Sequence, residues 1–231
     1  MKKPISLLSM FVFLTILISC SGKKAEQTEQ EVEEKKPEPK PAFSGKTLVG
    51  TTHTVADYAA WEKIYLEVSI PEARVGVLRG IDDPNLIVVF EYSTSHEDAK
   101  AFLNSEELKG HMKRGGVNSE PVSIYYDMKY MSEDEVTVPY RLAINHEVKD
   151  FDSWKTAFDN DEARRQEAGL TLMGMAASPD NPNLVYIMFG AEDLDKAKAM
   201  LENPELKQAM EDGGVISEPE FTFWQIPTNI Q

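Results

Sequence analysis

The chain has 231 residues, of which 24 are Lys or Arg and 39 are Asp or Glu, a formal net charge of −15. A surface this acidic is repelled by nucleic-acid phosphates and by anionic lipid headgroups, so neither is expected as a direct partner. The single cysteine, Cys20, excludes an intramolecular disulfide and a thiolate metal site.

The first segment opens Met1-Lys2-Lys3 and continues as an apolar run from Leu7 to Ile18. That run is too short to span a bilayer as a helix, and it has the layout of a secretory signal over residues 1–19. It ends in Leu17-Ile18-Ser19-Cys20, which resembles the lipobox of bacterial lipoproteins. The resemblance implies cleavage before Cys20, a lipid on its thiol, and a place in the bacterial cell envelope, at the outer membrane or the periplasmic face. With that thiol modified, no cysteine nucleophile remains. Residues 20–42 hold five Lys, six Glu and Pro37, Pro39 and Pro41, with almost nothing apolar. Such a segment buries too little surface to offset its ordering entropy, which predicts a disordered, charged tether.

The rest of the chain writes one unit twice. Residues 83–126 and 181–224 align at a constant offset of 98 with 17 identities in 44 positions. Nearer the start of each unit, His53, Val55, Asp57 and Trp61 fall on His146, Val148, Asp150 and Trp154, an offset of 93. The second copy therefore carries five extra residues between these blocks, in a longer first helix or a looser loop. Units of about ninety residues are whole small domains rather than solenoid repeats, here 43–132 and 137–231. Most of the charge resides in them: nine basic residues against 16 acidic in 43–136, and eight against 17 in 137–231.

Within the second unit, Tyr140 to His146 alternates as a strand does. Asp150 then caps a helix whose apolar positions are Phe151, Trp154 and Phe158. Two apolar strands follow around the turn at 178–183, matched by 81–85 in the first unit. A helix is predicted from Leu194 to Met210, stopped by Gly213-Gly214, and a last strand from Glu220 to Ile226. The order is β-α-β-β-α-β in each copy, the ferredoxin-like unit.

The opening His-x-Val-x-Asp of each copy, its Pro-Asn-Leu hairpin and its Gly-Gly-Val-x-Ser-Glu-Pro resemble the dimeric α+β barrel superfamily, in particular its antibiotic-biosynthesis-monooxygenase-like branch. The resemblance implies an α+β fold of two tandem ferredoxin-like βαββαβ units forming an intramolecular dimeric α+β barrel. The chain would then be a monomer with an internal pseudo-dimer. The superfamily hosts oxygenases, haem-degrading enzymes and proteins without known activity, so the fold leaves function open.

His53 and His146 are the first ligand-binding candidates, each at the end of a first strand and four residues before the capping Asp. They either frame a pocket or bond locally, with Asp57 and Asp150 as partners. Strand parity with Leu142 and Ile144 puts His146 on the helix-packed face. Trp61 and Trp154 read as core. His111 matches Ala209 in the second copy, while Arg141 and Asn145 match Leu48 and Thr52 and project toward the barrel interior, where an Arg needs a partner or an anionic ligand. No metal-ligand spacing and no phosphate loop occur, and the Gly-Gly-Val doublets are helix stops.

The favoured reading is a lipid-anchored envelope protein whose tandem barrel binds a small, partly apolar molecule, or serves as an interaction module, with no resident cofactor. Its contact with the membrane runs through the lipid on Cys20. The alternative is a cofactor-free, monooxygenase-like oxygenase or haem-handling enzyme acting in the barrel lumen, with His111, Asn145 and Arg141 as catalytic candidates. In the haem version His111 supplies an axial nitrogen and Arg141 a carboxylate partner.

Overall fold

The computed structural model describes residues 46–227; the signal segment, the tether and Cys20 lie outside the described residues. The first repeat runs β1 (Thr47–Thr54), α1 (Tyr58–Val68), a 3-10 turn (Pro71–Ala73), β2 (Arg74–Gly80), β3 (Leu86–Ser93), α2 (His96–Leu103), α3 (Glu106–Arg114) and β4 (Val122–Met131). The second runs β5 (Tyr140–Glu147), α4 (Phe151–Asn160), α5 (Glu162–Glu167), β6 (Leu170–Ala177), β7 (Leu184–Ala191), α6 (Leu194–Leu201), α7 (Pro204–Asp212) and β8 (Glu220–Gln225).

The strands close into one antiparallel barrel in the order β1-β3-β2-β8-β5-β7-β6-β4. Each repeat contributes a four-stranded sheet, and the sheets join edge to edge at β2–β8 and β4–β6. This is the intramolecular dimeric α+β barrel expected of two ferredoxin-like units. Closure leaves no strand edge unpaired, which an isolated four-stranded sheet cannot achieve.

Local chemistry sets the element ends. Asp57 and Asp150 cap α1 and α4 by accepting from Ala60 N at 2.7 Å and Ser153 N at 2.9 Å. The extra residues of the second repeat build α5. The single helix predicted over 194–210 is two helices instead. Pro204 has no N–H for the preceding turn and stands at the first position of α7, with Asn203 as its cap. The first repeat breaks at the same place, where Ser105 caps α3. Gly116 and Gly214, at φ 74° and 93°, end the last helix of each repeat in the left-handed region.

Strand alternation sends one set of side chains out to the helices and the other into the barrel. Outside, Val55, Trp61, Val77 and Ile87 form the core of the first repeat, and Leu142, Trp154, Val185 and Phe189 that of the second. Inside, Leu78, Val88 and Trp224 are buried against Phe90, Ala143 and Met188. Tyr126 meets Phe90 and Tyr186 at ring-centroid distances of 6.1 and 5.0 Å. Even at Gly50 a Cβ would come within 2.8 Å of the Phe90 ring. The interior is therefore packed core, and the volume that a site in the lumen would need is occupied by aromatic rings.

Candidate functional site

Open volume lies on the other side of the sheets, between strands and helices. In the first repeat a cavity of about 790 Å³ is bounded by Val49, Thr51, His53, Val89 and Glu91 of β1 and β3 and by Trp61, Tyr65, Leu108, His111 and Met112 of the helices. The second repeat has a smaller counterpart of about 460 Å³, with Ile144, His146, Ile187 and Phe189 on the sheet and Trp154, Phe158 and Met210 on the helices.

His53 and His146 thus share the outward face that parity assigned them, and each stands in the wall of a cavity. They are 5% and 3% exposed. Each ring stands edge-on to the tryptophan of its helix, with centroids 6.1 and 5.5 Å apart. The local hydrogen bond to Asp57 or Asp150 is not made. Those carboxylates are spent on helix caps, and all four histidine ring nitrogens are buried without a partner among the described residues. Burial pulls both imidazoles down to about 4, so both are neutral at pH 7.

The first cavity holds further polar groups. Tyr65 is 8% exposed, and its buried hydroxyl also lacks a partner. Burial, then the charge of Glu91, pushes that phenol up. Burial likewise raises the Glu91 carboxyl, against the opposing pull of the Tyr65 hydroxyl and the Arg74 guanidinium. The carboxyl and the phenol are near enough to shift one another, yet no hydrogen bond of normal geometry joins them. His111 stands at the helix side with its Nε2 3.7 Å from Glu107.

Superposing the repeats at their two offsets shows what duplication left behind. Thr51, Tyr65, Glu91 and His111 of the first cavity correspond to Ile144, Phe158, Phe189 and Ala209 of the second. Even the Thr51 to Ser123 hydroxyl pair, 2.9 Å apart, is replaced by Ile144 and Phe221. At its sheet face the second cavity keeps one buried polar group, His146, while Asn160, Asp161, Arg165 and Asp212 line its helix side. Of the four distinguishing residues only His111 was singled out from the sequence. Glu91 carried a signal nonetheless: an acid at helix-facing parity directly after the apolar run Leu86-Ile87-Val88-Val89-Phe90.

The structure does not bring His111, Asn145 and Arg141 together. His111 is on an outer helix, whereas Arg141 and Asn145 point inward from β5. Arg141 is 6% exposed and donates to the carbonyls of Val136 (2.7 Å), Val138 (2.7 Å) and Tyr140 (2.9 Å). Its guanidinium therefore holds the segment between the repeats instead of facing a ligand. Asn145 donates to Glu220 at 3.0 Å at an exposed site. Haem placed between His111 and Arg141 has no such site to occupy. Among the described residues no group of three His, Cys, Asp or Glu is placed to hold a metal ion, and no helix is long and apolar enough to cross a membrane.

Neither a family model nor a curated protein matches this sequence. Solved structures do. A candidate monooxygenase from Lactobacillus acidophilus NCFM superposes with a TM-score of 0.52 at 16% identity, covering 78% of this chain and 93% of its own. One from Fusobacterium nucleatum gives 0.54 at 12% identity, covering 82% and 95%. An anthrone oxidase-like protein gives 0.52 at 13% identity, covering 81% and 93%. Such shares of this chain need both repeats, so these proteins carry the same two-repeat barrel in one polypeptide. What this chain shares with them is the fold, a dimeric α+β barrel.

Proposed function

We propose that this protein is a binding protein of the bacterial envelope that takes a small, largely apolar molecule into the cavity of its first repeat. The observation that carries the reading is the pair of buried, unpartnered polar groups, His53 and Tyr65, in the wall of a 790 Å³ cavity. A buried donor or acceptor left unsatisfied costs about 1–3 kcal/mol, and a ligand group that meets it recovers that cost. No resident cofactor is part of this reading. The envelope location rests on the apolar signal and Leu17-Ile18-Ser19-Cys20, with the lipid on Cys20 as the link to the membrane.

Titration of the purified protein with Nile red, a neutral apolar fluorophore, tests the cavity. Saturable binding that Met112→Trp removes and Met210→Trp leaves in place locates the ligand in the first repeat, because the two methionines are the same position on opposite cavities. Binding that both variants leave untouched rejects the reading.

One observation favours a second reading, a cofactor-free oxygenase. Glu91 is a carboxyl with its affinity for protons raised by burial, and it faces an apolar cavity, the setting in which a carboxylate serves as a general base. The structural neighbours named as monooxygenases and as anthrone oxidase-like support the same direction. The reacting molecule would sit in the outer cavity, with Glu91 taking a proton from a weakly acidic C–H or O–H. Oxygen uptake with anthrone that Glu91→Gln abolishes would establish it, and no uptake above the buffer rate would leave binding alone.

A further inference from the structure

The placement of Glu91 states more than that the cavity is partly polar. Glu91 pairs with Val49 in the β1–β3 register, and its counterpart Phe189 pairs with Leu142. One repeat thus has an acid where the other has a ring, on a sheet wall that also carries a neutral histidine in each. The cation whose charge acts on it is Arg74. That side chain is engaged elsewhere: Nε donates to Ser69 Oγ at 2.7 Å, and Nη2 to the carbonyls of Leu66 and Ser69 at 3.0 Å. Among the described residues no ion pair to Glu91 is formed. The remaining charged groups around the cavity do not neutralise it either, since Glu72, Asp98 and Glu107 stand against Lys46 alone, and Lys46 lies over the Tyr92 ring at 4.9 Å. His53 is neutral and brings no charge. A half-buried carboxyl that forms no ion pair is a liability that a positively charged ligand removes and an anion worsens.

We propose that Glu91 makes the first-repeat cavity selective for an apolar skeleton bearing a protonated amine, and discriminates against carboxylates of the same shape. The inference rests on the binding reading above. The apolar walls take the hydrocarbon part, Glu91 takes the ammonium group, and the unpartnered Tyr65 hydroxyl and His53 nitrogens accept or donate to whatever polar atoms remain. The same charge arrangement disfavours planar dianions such as haem, whose carboxylates would meet the acidic rim. On the sheet wall of the second cavity Phe189 stands in place of that acid.

The test uses one skeleton in three charge states, 1-naphthylmethylamine, 1-naphthalenemethanol and 1-naphthoate, each displacing Nile red from the purified protein at pH 7. The expected order is amine tightest and naphthoate weakest, with at least tenfold between them, about 1.4 kcal/mol. Glu91→Gln is expected to weaken the amine tenfold and leave the alcohol unchanged. Equal affinities across the three compounds, or naphthoate tightest, overturns the proposal using the unmutated protein alone. So does an amine preference that survives Glu91→Gln. If Nile red itself does not bind saturably, the cavity reading and this one fall together. If it binds without a charge order, only this one falls.

Discussion

Arg141 stands opposite Gly190 in the β5–β7 register, and both residues serve the segment that joins the repeats. The guanidinium binds the carbonyls of Val136, Val138 and Tyr140. At Gly190 a Cβ would come within 2.5 Å of Val136 and 2.8 Å of Val138, so only glycine lets the segment lie this close. The matching residues of the first repeat are Leu48 and Tyr92, where no linker needs holding. Arg141→Met is expected to strand three part-buried carbonyls and lower stability by about 3 kcal/mol, roughly 6–12 °C in Tm for a domain of this size. Calorimetry reads the loss, and Nile red affinity should not move. A variant that melts with the wild type would mean that the linker is held by its valines.

The two buried histidines predict an acid limb in stability. An unfolded histidine takes up its proton near pH 6.5, whereas the folded His53 and His146 refuse it until about 4. Between those values the unfolded chain binds more protons, so stability falls as pH drops from 6.5 to 4 and loses nothing further from these groups below that. Each contributes roughly 3 kcal/mol to the fall. Between pH 7 and pH 4 the urea midpoint should fall further for the protein than for a His53→Phe/His146→Phe variant, whose curve lacks this limb. Parallel curves would show that the rings are hydrated enough to protonate in the folded state.

Neither half is expected to stand alone. Fragment 43–132 would uncover Val88, Phe90 and Tyr126 of the barrel interior, and 137–231 would uncover Met188, Tyr186 and Trp224. Apolar faces of that extent drive association. Sedimentation should find the fragments paired or aggregated, and mixing them should restore a species of the intact size. Two well-folded monomers with independent melting transitions would contradict the shared interior.

Membrane attachment is expected to depend on one atom, the sulfur of Cys20. Cys20→Ala should abolish incorporation of labelled fatty acid and move the protein from the membrane fraction to the soluble fraction. Unlabelled protein still sedimenting with membranes would point to a different anchor.

Much of the architecture was legible before any coordinates, because it depends on information the chain repeats locally. The capping aspartates and the alternation of Tyr140 to His146 concern residues a few positions apart, and the offsets of 98 and 93 show that such a local pattern is written twice. Hairpins and helix ends are decided at that range. Strand alternation over Leu142, Ile144 and His146 likewise puts His146 beside the helices. The break between α6 and α7 was legible too, in the capping residues Asn203 and Ser105 that start a new helix at the same place in both repeats, with Pro204 reinforcing it in the second.

The location of the cavities was not legible, since it is a property of packing between segments far apart in the chain. Whether the barrel interior is open depends on how Phe90 and Tyr126 of one repeat meet Tyr186 and Trp224 of the other, and no local pattern records that. The role of Arg141 depended likewise on where the linker runs. For Glu91 the sequence supplied the anomaly, an acid on an apolar strand, but only the helices closing over that strand decided that the acid faces a cavity rather than solvent. By itself, then, the sequence determined the repeat, the element order and the face of each strand, because backbone periodicity and capping act over a few residues. The tertiary structure alone decided which face became core and which kept room for a ligand, because close packing is settled by the sum of side-chain volumes from both halves.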